Sequence, residues 1–152
     1  MPIIASNFDK FVAERKKPLE PPVKVDSGVK IIDIKKEELN VGGKSESVLK
    51  IDYDFTVKYD PKQAEIVIEG HLLYAENSKK IEEILKNWKK TKKFDPDVAQ
   101  LIMNNILIKC NIKALLLSQE IGLPPHIRLP MVQKGPSKGA EPKKNPKVDY
   151  TG

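Results

Sequence analysis

The chain has one cysteine, two histidines and two arginines among 152 residues, and aromatic residues make up only 6% of it. A single cysteine, Cys110, excludes an internal disulfide and a cysteine-built metal site. His71 and His126 stand far apart in sequence, so no three-ligand zinc set is available from His and Cys. GxGxxG, GxxxxGK[ST] and GxSxG are all missing, which removes the common nucleotide-binding and nucleophile-elbow signatures. No run of 18 uninterrupted apolar residues is present, so no membrane span is expected. Residues 1–12 lack the basic and apolar regions of a signal peptide, and the expectation is a cytoplasmic protein. The remaining candidates for chemistry are weak. "VGGKSES" (41–47) contains Gly-Gly-Lys-Ser but leads into a strand pattern, so it reads as a loop. Asp52 and Asp54 share a strand face with Lys50, Thr56 and Lys58, which describes a solvated face better than an acid–base pair. The expectation is a protein that is not an enzyme and needs no cofactor or metal.

Hydrophobic periodicity supplies the elements. Ser6 is a plausible N-cap, Phe8, Phe11 and Val12 fall at helical spacing, and Pro18 follows, so residues 3–17 are expected to form a short helix. "PLEPP" (18–22) reads as an extended linker. Residues 29–35 form a first strand, with the Ile31–Ile32 doublet breaking alternation as a β-bulge does. Residues 49–59 alternate cleanly, with Leu49, Ile51, Tyr53, Phe55, Val57 and Tyr59 on one side. "DPKQ" (60–63) turns the chain, and residues 64–75 return with Ile66, Ile68, Gly70, Leu72 and Tyr74 facing the core.

Two helices close the pattern. Over residues 78–93, Ile81, Ile84, Leu85 and Trp88 make one apolar stripe. "FDPDVAQL" then marks a helix start, with Asp95 as N-cap and Pro96 at the first position, and Gly122 supplies the stop near Ile121. This second helix is apolar on more than one side. One side should cover the sheet and the other should meet a second copy, with Ile102, Ile106, Ile112 and Leu116 as the expected oligomer interface. Beyond it, "IGLPPHIRLPMVQ" (121–133) is too apolar for an ordinary surface loop and too proline-rich for helix. It either seals the core or borders a groove.

The net charge of +6 is concentrated. Residues 79–93 carry seven lysines against Glu82 and Glu83, and residues 133–152 carry five against Glu141 and Asp149, leaving the body close to neutral. Lys79, Lys86, Lys89, Lys90 and Lys93 could contact phosphates of nucleic acid or the ribosome; alternatively they form a solvated helix face. The expected organisation is an N-terminal helix and linker (1–22), an α+β domain (23–132) with a long-stranded antiparallel sheet packed by two C-terminal helices, and a flexible basic tail (133–152).

The order of strands, helix, longer helix and extended apolar segment over about residues 25–132 resembles the SecB-like export chaperones. The end of the second helix carries the most sequence-like part: Gly122-Leu123-Pro124, then Ile127 and Leu129, then Pro130 and Val132. "SVLKIDYDFTVKYD" and "AEIVIEGHLLYA" look like that family's central hairpin. The resemblance implies a homotetramer, a dimer of dimers, that holds non-native polypeptide in apolar surface grooves without nucleotide and can serve protein transport. Val67 and Leu73 on the outer sheet face, with Leu123, Ile127 and Leu129 of the apolar segment, are the expected groove residues.

Overall fold

The computed structural model describes residues 2–135, and the expected basic tail lies outside them apart from its first three residues. Four antiparallel strands, β1 (Ile3–Arg15), β2 (Lys24–Val41), β3 (Lys44–Asp60) and β4 (Ala64–Ala75), form one sheet in the order β1-β4-β3-β2. Helices α1 (Ser78–Thr91) and α2 (Pro96–Glu120) pack on one face of it. This is the expected α+β architecture with one strand more than the periodicity indicated.

The extra strand corrects the expected N-terminal helix. β1 pairs with β4 along its length, with register shifts between Ile3 and Ala5 and between Phe8 and Lys10. Cross-strand partners share a face, so Phe8, opposite Gly70, and Phe11, opposite Ile68, both point inward. The bulge at Asp9 separates those two inward residues by three positions rather than two. Bulged strand and helix turn thus leave the same spacing in sequence, and pairing to β4 decides between them.

β1 and β2 are the two edges, so the connection between them crosses the end of the sheet. The "PLEPP" segment makes this crossing and is fastened to the buried Gln63 of the β3–β4 turn. The Gln63 side chain accepts from the Glu20 amide (2.7 Å) and donates to the Glu20 carbonyl (3.2 Å). β2 and β3 run longer than expected because the loop at 41–47 is a two-residue hairpin turn. Gly42 and Gly43 both take positive φ (60° and 81°), as a type I′ turn requires. The bulge at Ile31–Ile32 is present, since the β2–β3 register slips between Ile31 and Asp33.

The core is built from the inward residues of β3 and β4, and Tyr53, Phe55, Tyr59, Ile66, Ile68 and Leu72 are fully buried. Each such side chain contributes about 1.5–3 kcal/mol of transfer free energy. Gly70 lies directly across from Tyr53, where a Cβ would stand 2.6 Å from both the Tyr53 hydroxyl and the Asn7 carbonyl oxygen. A residue without a side chain is what lets β1 and the tyrosine approach here.

α2 docks through Val98, Ile102, Ile106, Cys110, Ala114 and Ser118, a strict every-fourth-residue series. On a helix of 3.6 residues per turn such a series drifts about 40° per step, so the buried band winds roughly 200° around the axis. The winding follows the twist of the sheet as α2 crosses β1, β4 and β2. Burial also pushes the Cys110 thiol up to about 11, as expected of a small buried hydrophobe.

Candidate functional site

Besides Ile4, Phe11 and Val12 on β1 and Val41 at the β2–β3 turn, the described surface presents apolar residues in three places: a groove at the β2 edge, the outward stripe of α2, and the distal half of the segment after α2.

The groove lies where β2 meets the corner between the helices, and its volume is about 660 Å³. Val29, Ile31 and Ile32 form one wall, Trp88 and Phe94 the corner, and Ala99 and Met103 the other wall. Each side has a local cause. The β2 bulge turns Ile32 outward, leaving it about half exposed. Trp88 ends the apolar stripe of α1 and is only partly buried. Lys92 stops α1 in the left-handed region (φ 56°), its amide donating to the Trp88 carbonyl at 2.9 Å. That stop folds the chain back so that Phe94 stacks on Trp88, ring centroids 5.1 Å apart, while the Lys92 ammonium sits 5.5 Å from the indole centroid. Lys30, Lys92 and Lys93 line the rim, and among the described residues no carboxylate lines the groove.

The α2 stripe consists of Ile108 (63% exposed), Ile112 (58%) and Leu116 (51%), each two positions past a buried residue and so about 200° from it. The two-sided helix of the sequence is therefore divided differently from the expectation. Ile102 and Ile106 are fully buried against their own sheet and cannot face a second copy, whereas Ile112 and Leu116 point outward beside Ile108. Sequence reasoning placed two core residues in the interface because the band winds.

The segment after α2 is also divided. Its start is a Schellman motif: Gly122 (φ 66°) donates to the Gln119 carbonyl (3.3 Å) and Leu123 to the Ser118 carbonyl (2.8 Å). Leu123 is only 5% exposed and joins the core. Tyr59 donates its hydroxyl proton to the Pro124 carbonyl (2.6 Å). His126 meets the Asn111 side-chain oxygen (2.7 Å) and stands edge-on to Phe55, and burial holds its pKa below the ordinary value. From Ile127 onward the chain emerges: Ile127 and Leu129 are partly exposed, Met131 is 82% exposed and Val132 fully so. A depression of about 440 Å³ lies between Pro125, Ile127, Arg128, Leu129 and Met131.

The five expected groove residues do not line one site. Val67 and Leu73 are half-buried on the outer face, pairing with Val12 and Ala5 of β1, about 20 Å apart by strand rise and away from the helices. Leu123 is core, and Ile127 and Leu129 are the most exposed of the five. The groove at the β2 edge was missed. Trp88 counted only as a stripe residue, and the one sequence signal available was the Ile31–Ile32 doublet. The lysines Lys79, Lys86, Lys89, Lys90 and Lys93 are all exposed. Lys79, Lys86 and Lys89 surround a shallow depression with Glu82 and Glu83, while Lys93 belongs to the groove rim. Glu82 is engaged by Lys36 of β2 at 2.8 Å.

On the outer face, Asp9 of the β1 bulge meets His71 (2.8 Å), and Asp54 faces Glu69 across the β3–β4 ladder. Burial first, then the Glu69 charge, pushes the Asp54 carboxyl up. Among the described residues no group of three His, Cys, Asp or Glu side chains converges on a metal-sized space. α2 is long and apolar enough to cross a bilayer by length and composition alone; here one side of it packs on the sheet.

These elements define a SecB-like α+β fold: a four-stranded antiparallel sheet with two C-terminal helices on one face. A solved structure of this class is the SecB-like chaperone Rv1957 of Mycobacterium tuberculosis, in complex with a ChAD peptide from the Rv1956 HigA1 antitoxin. It matches with a TM-score of 0.51 and 15% identity, covering 87% of this chain and 90% of that one. No protein-family model matches the chain. No curated protein matches it either.

Proposed function

We propose that this protein is a non-enzymatic chaperone or peptide-binding protein that holds extended, unfolded polypeptide on its apolar surface, working as a homo-oligomer in the cytoplasm. The observation that carries this reading is the open groove at the β2 edge. It combines a stacked tryptophan–phenylalanine pair, branched aliphatic walls and a strand edge that no other described strand pairs with, which are the elements that β-addition of an extended chain uses. The SecB-like fold supports it, because a neighbour of that fold was solved with a peptide bound.

The groove also has a natural continuation. Ala99, Met103, Leu107 and Asn111 each lie one position past a buried residue, so they follow one flank of α2 for about 18 Å. The flank begins at Trp88 and Phe94 and ends where Asn111 holds His126, next to the exposed Ile127 and Leu129. An extended segment of about five or six residues spans that distance. The oligomer would form through Ile108, Ile112 and Leu116.

The test is suppression of aggregation of a chemically unfolded client by the native protein and by Trp88→Ala. Protection by the native chain, lost in the variant at unchanged fold, supports the reading; no protection by the native chain ends it. A nucleic-acid or ribosome role has one observation in its favour, the exposed lysines of α1. Affinity for an oligonucleotide that falls steeply between low and moderate salt would favour it.

A further inference from the structure

The rim of the β2-edge groove carries a charge bias that an apolar-peptide site does not need. Among the described residues, three lysines line it, the others that line it are apolar, and none is an acid. Among the described residues, none of Lys30, Lys92 and Lys93 takes part in an ion pair. The nearest carboxylates in sequence are engaged elsewhere or turned away. Asp33 pairs with Lys35 (3.8 Å), Asp95 with Lys80 (3.5 Å), and Asp97 is an exposed first-turn residue of α2 that does not line the groove. Lys30 also faces Asp54 across the β2–β3 ladder on the outer side, so Lys92 and Lys93 are the cations most open to a ligand. Lys92 is held close to the floor: its backbone caps α1 and its ammonium stands over Trp88. A carboxylate brought beside Trp88 by an apolar anchor would meet that ammonium with little further loss of side-chain freedom.

From this geometry we infer that the groove selects extended polypeptide segments in which apolar or aromatic residues alternate with Asp or Glu. The inference rests on the peptide-binding reading and adds its substrate class. Alternation suits the site physically. In an extended chain successive side chains point to opposite sides, so apolar residues enter between Trp88, Phe94 and Met103 while acidic ones lie along the lysine rim. Basic segments are disfavoured by the same unpaired lysines, a repulsive element that gives discrimination as much as attraction does.

Trp88 is the only tryptophan in the chain and reports on its own groove. The full-length protein is titrated with three tryptophan-free eight-residue peptides that share alternating Leu and Phe but carry Glu, Ser or Lys between them. The expected result is a change in Trp88 emission with all three, and affinity for the Glu peptide about tenfold above that for the Lys peptide at low salt, narrowing as salt rises. The variant Lys92→Asn/Lys93→Glu should bring the Glu and Lys peptides to within about twofold of each other. Asn tolerates the left-handed conformation at 92, so this variant should keep the fold, which its far-ultraviolet circular dichroism verifies. Equal affinities for Glu and Lys peptides in the native protein would overturn charge selection and leave peptide binding standing. Binding without a Trp88 response would overturn the site. Displacement of the Glu peptide by an oligonucleotide or a fatty acid at lower concentration than by unlabelled peptide would overturn the occupant. Binding of none of the three peptides would end both this inference and the reading it rests on.

Discussion

Ile102 and Ile112 sit ten residues apart on α2 and, by composition alone, look interchangeable. Their truncations should behave as opposites. Ile102 is fully buried against the sheet. Ile102→Ala removes three carbons worth about 0.8 kcal/mol each in transfer, and the cavity left in a packed core brings the total to roughly 3–4 kcal/mol. With a urea dependence of about 1.5–2 kcal/mol per molar, the unfolding midpoint should fall by about 2 M. That loss should be the same at every protein concentration, because the contacts are within one chain. Ile112 is 58% exposed. In a lone protomer Ile112→Ala should move stability by no more than about 0.5 kcal/mol. If Ile108, Ile112 and Leu116 meet a second copy, native unfolding shifts upward with protein concentration, and Ile112→Ala weakens that dependence and lowers the mass seen by light scattering. Unfolding of the native chain and both variants at protein concentrations about a hundredfold apart separates these cases. An Ile102→Ala cost below about 1 kcal/mol would refute the placement of the buried band. An Ile112→Ala variant with unaltered mass and concentration dependence would refute the proposed interface.

Two other perturbations probe the strands and the segment after α2. Gly70→Ala places a methyl 2.6 Å from the Asn7 carbonyl oxygen and the Tyr53 hydroxyl. It should cost about 1–3 kcal/mol by overpacking, with hydrogen-exchange protection lost first along β1. Burial holds the folded His126 below its ordinary value of 6.5, so as pH falls the unfolded chain takes up the proton first. Its stability contribution is therefore complete above about pH 6.5 and is lost as pH falls from there toward the depressed folded value. His126→Asn should flatten thermal stability against pH across that window, and an unchanged slope would show that other groups control it.

The fold was readable where one face of a regular element is uniformly apolar. β3 and β4 alternate without interruption, and the inward positions read from them, Leu49 to Tyr59 and Ile66 to Tyr74, are the buried ones. The start and stop of α2 were readable because Pro96 and Gly122 act through local backbone geometry. β1 was not readable, since its bulge at Asp9 gives Phe8 and Phe11 helical spacing, and only pairing with a strand some sixty residues away resolves the ambiguity. The length of β2 was hidden for a related reason. Its distal end carries Lys35, Lys36, Glu37 and Glu38, which protect a sheet edge but leave no apolar alternation to count. The candidate groove is assembled from β2, the end of α1 and the start of α2, so no window of sequence contains it. The doublet at Ile31–Ile32 announced a bulge; what the bulge faces is a tertiary fact.

The geometry of α2 bears on whether self-association and peptide holding compete. Residues one position past the buried band, Ala99 and Met103, line the groove, while those two positions past it, Ile108, Ile112 and Leu116, form the outward stripe. One position on a helix is about 100°, so a second copy seated on the stripe approaches from a different direction than a peptide lying along β2. Only the Trp88 end of the groove is also displaced along the axis: Met103 and Ile112 are nine residues apart, about 13 Å, whereas Leu107 and Asn111 run beside the stripe on a neighbouring side of the helix. A chain built this way can associate through its helix without closing its groove. The consequence is measurable with Ile112→Asp, which places a charge in the centre of the stripe and should abolish self-association. The resulting protomer should give the same Trp88 emission change with the acidic, apolar peptide, with affinity within about twofold of the native protein. An affinity that collapses together with the oligomer would mean that the partner copy supplies part of the groove.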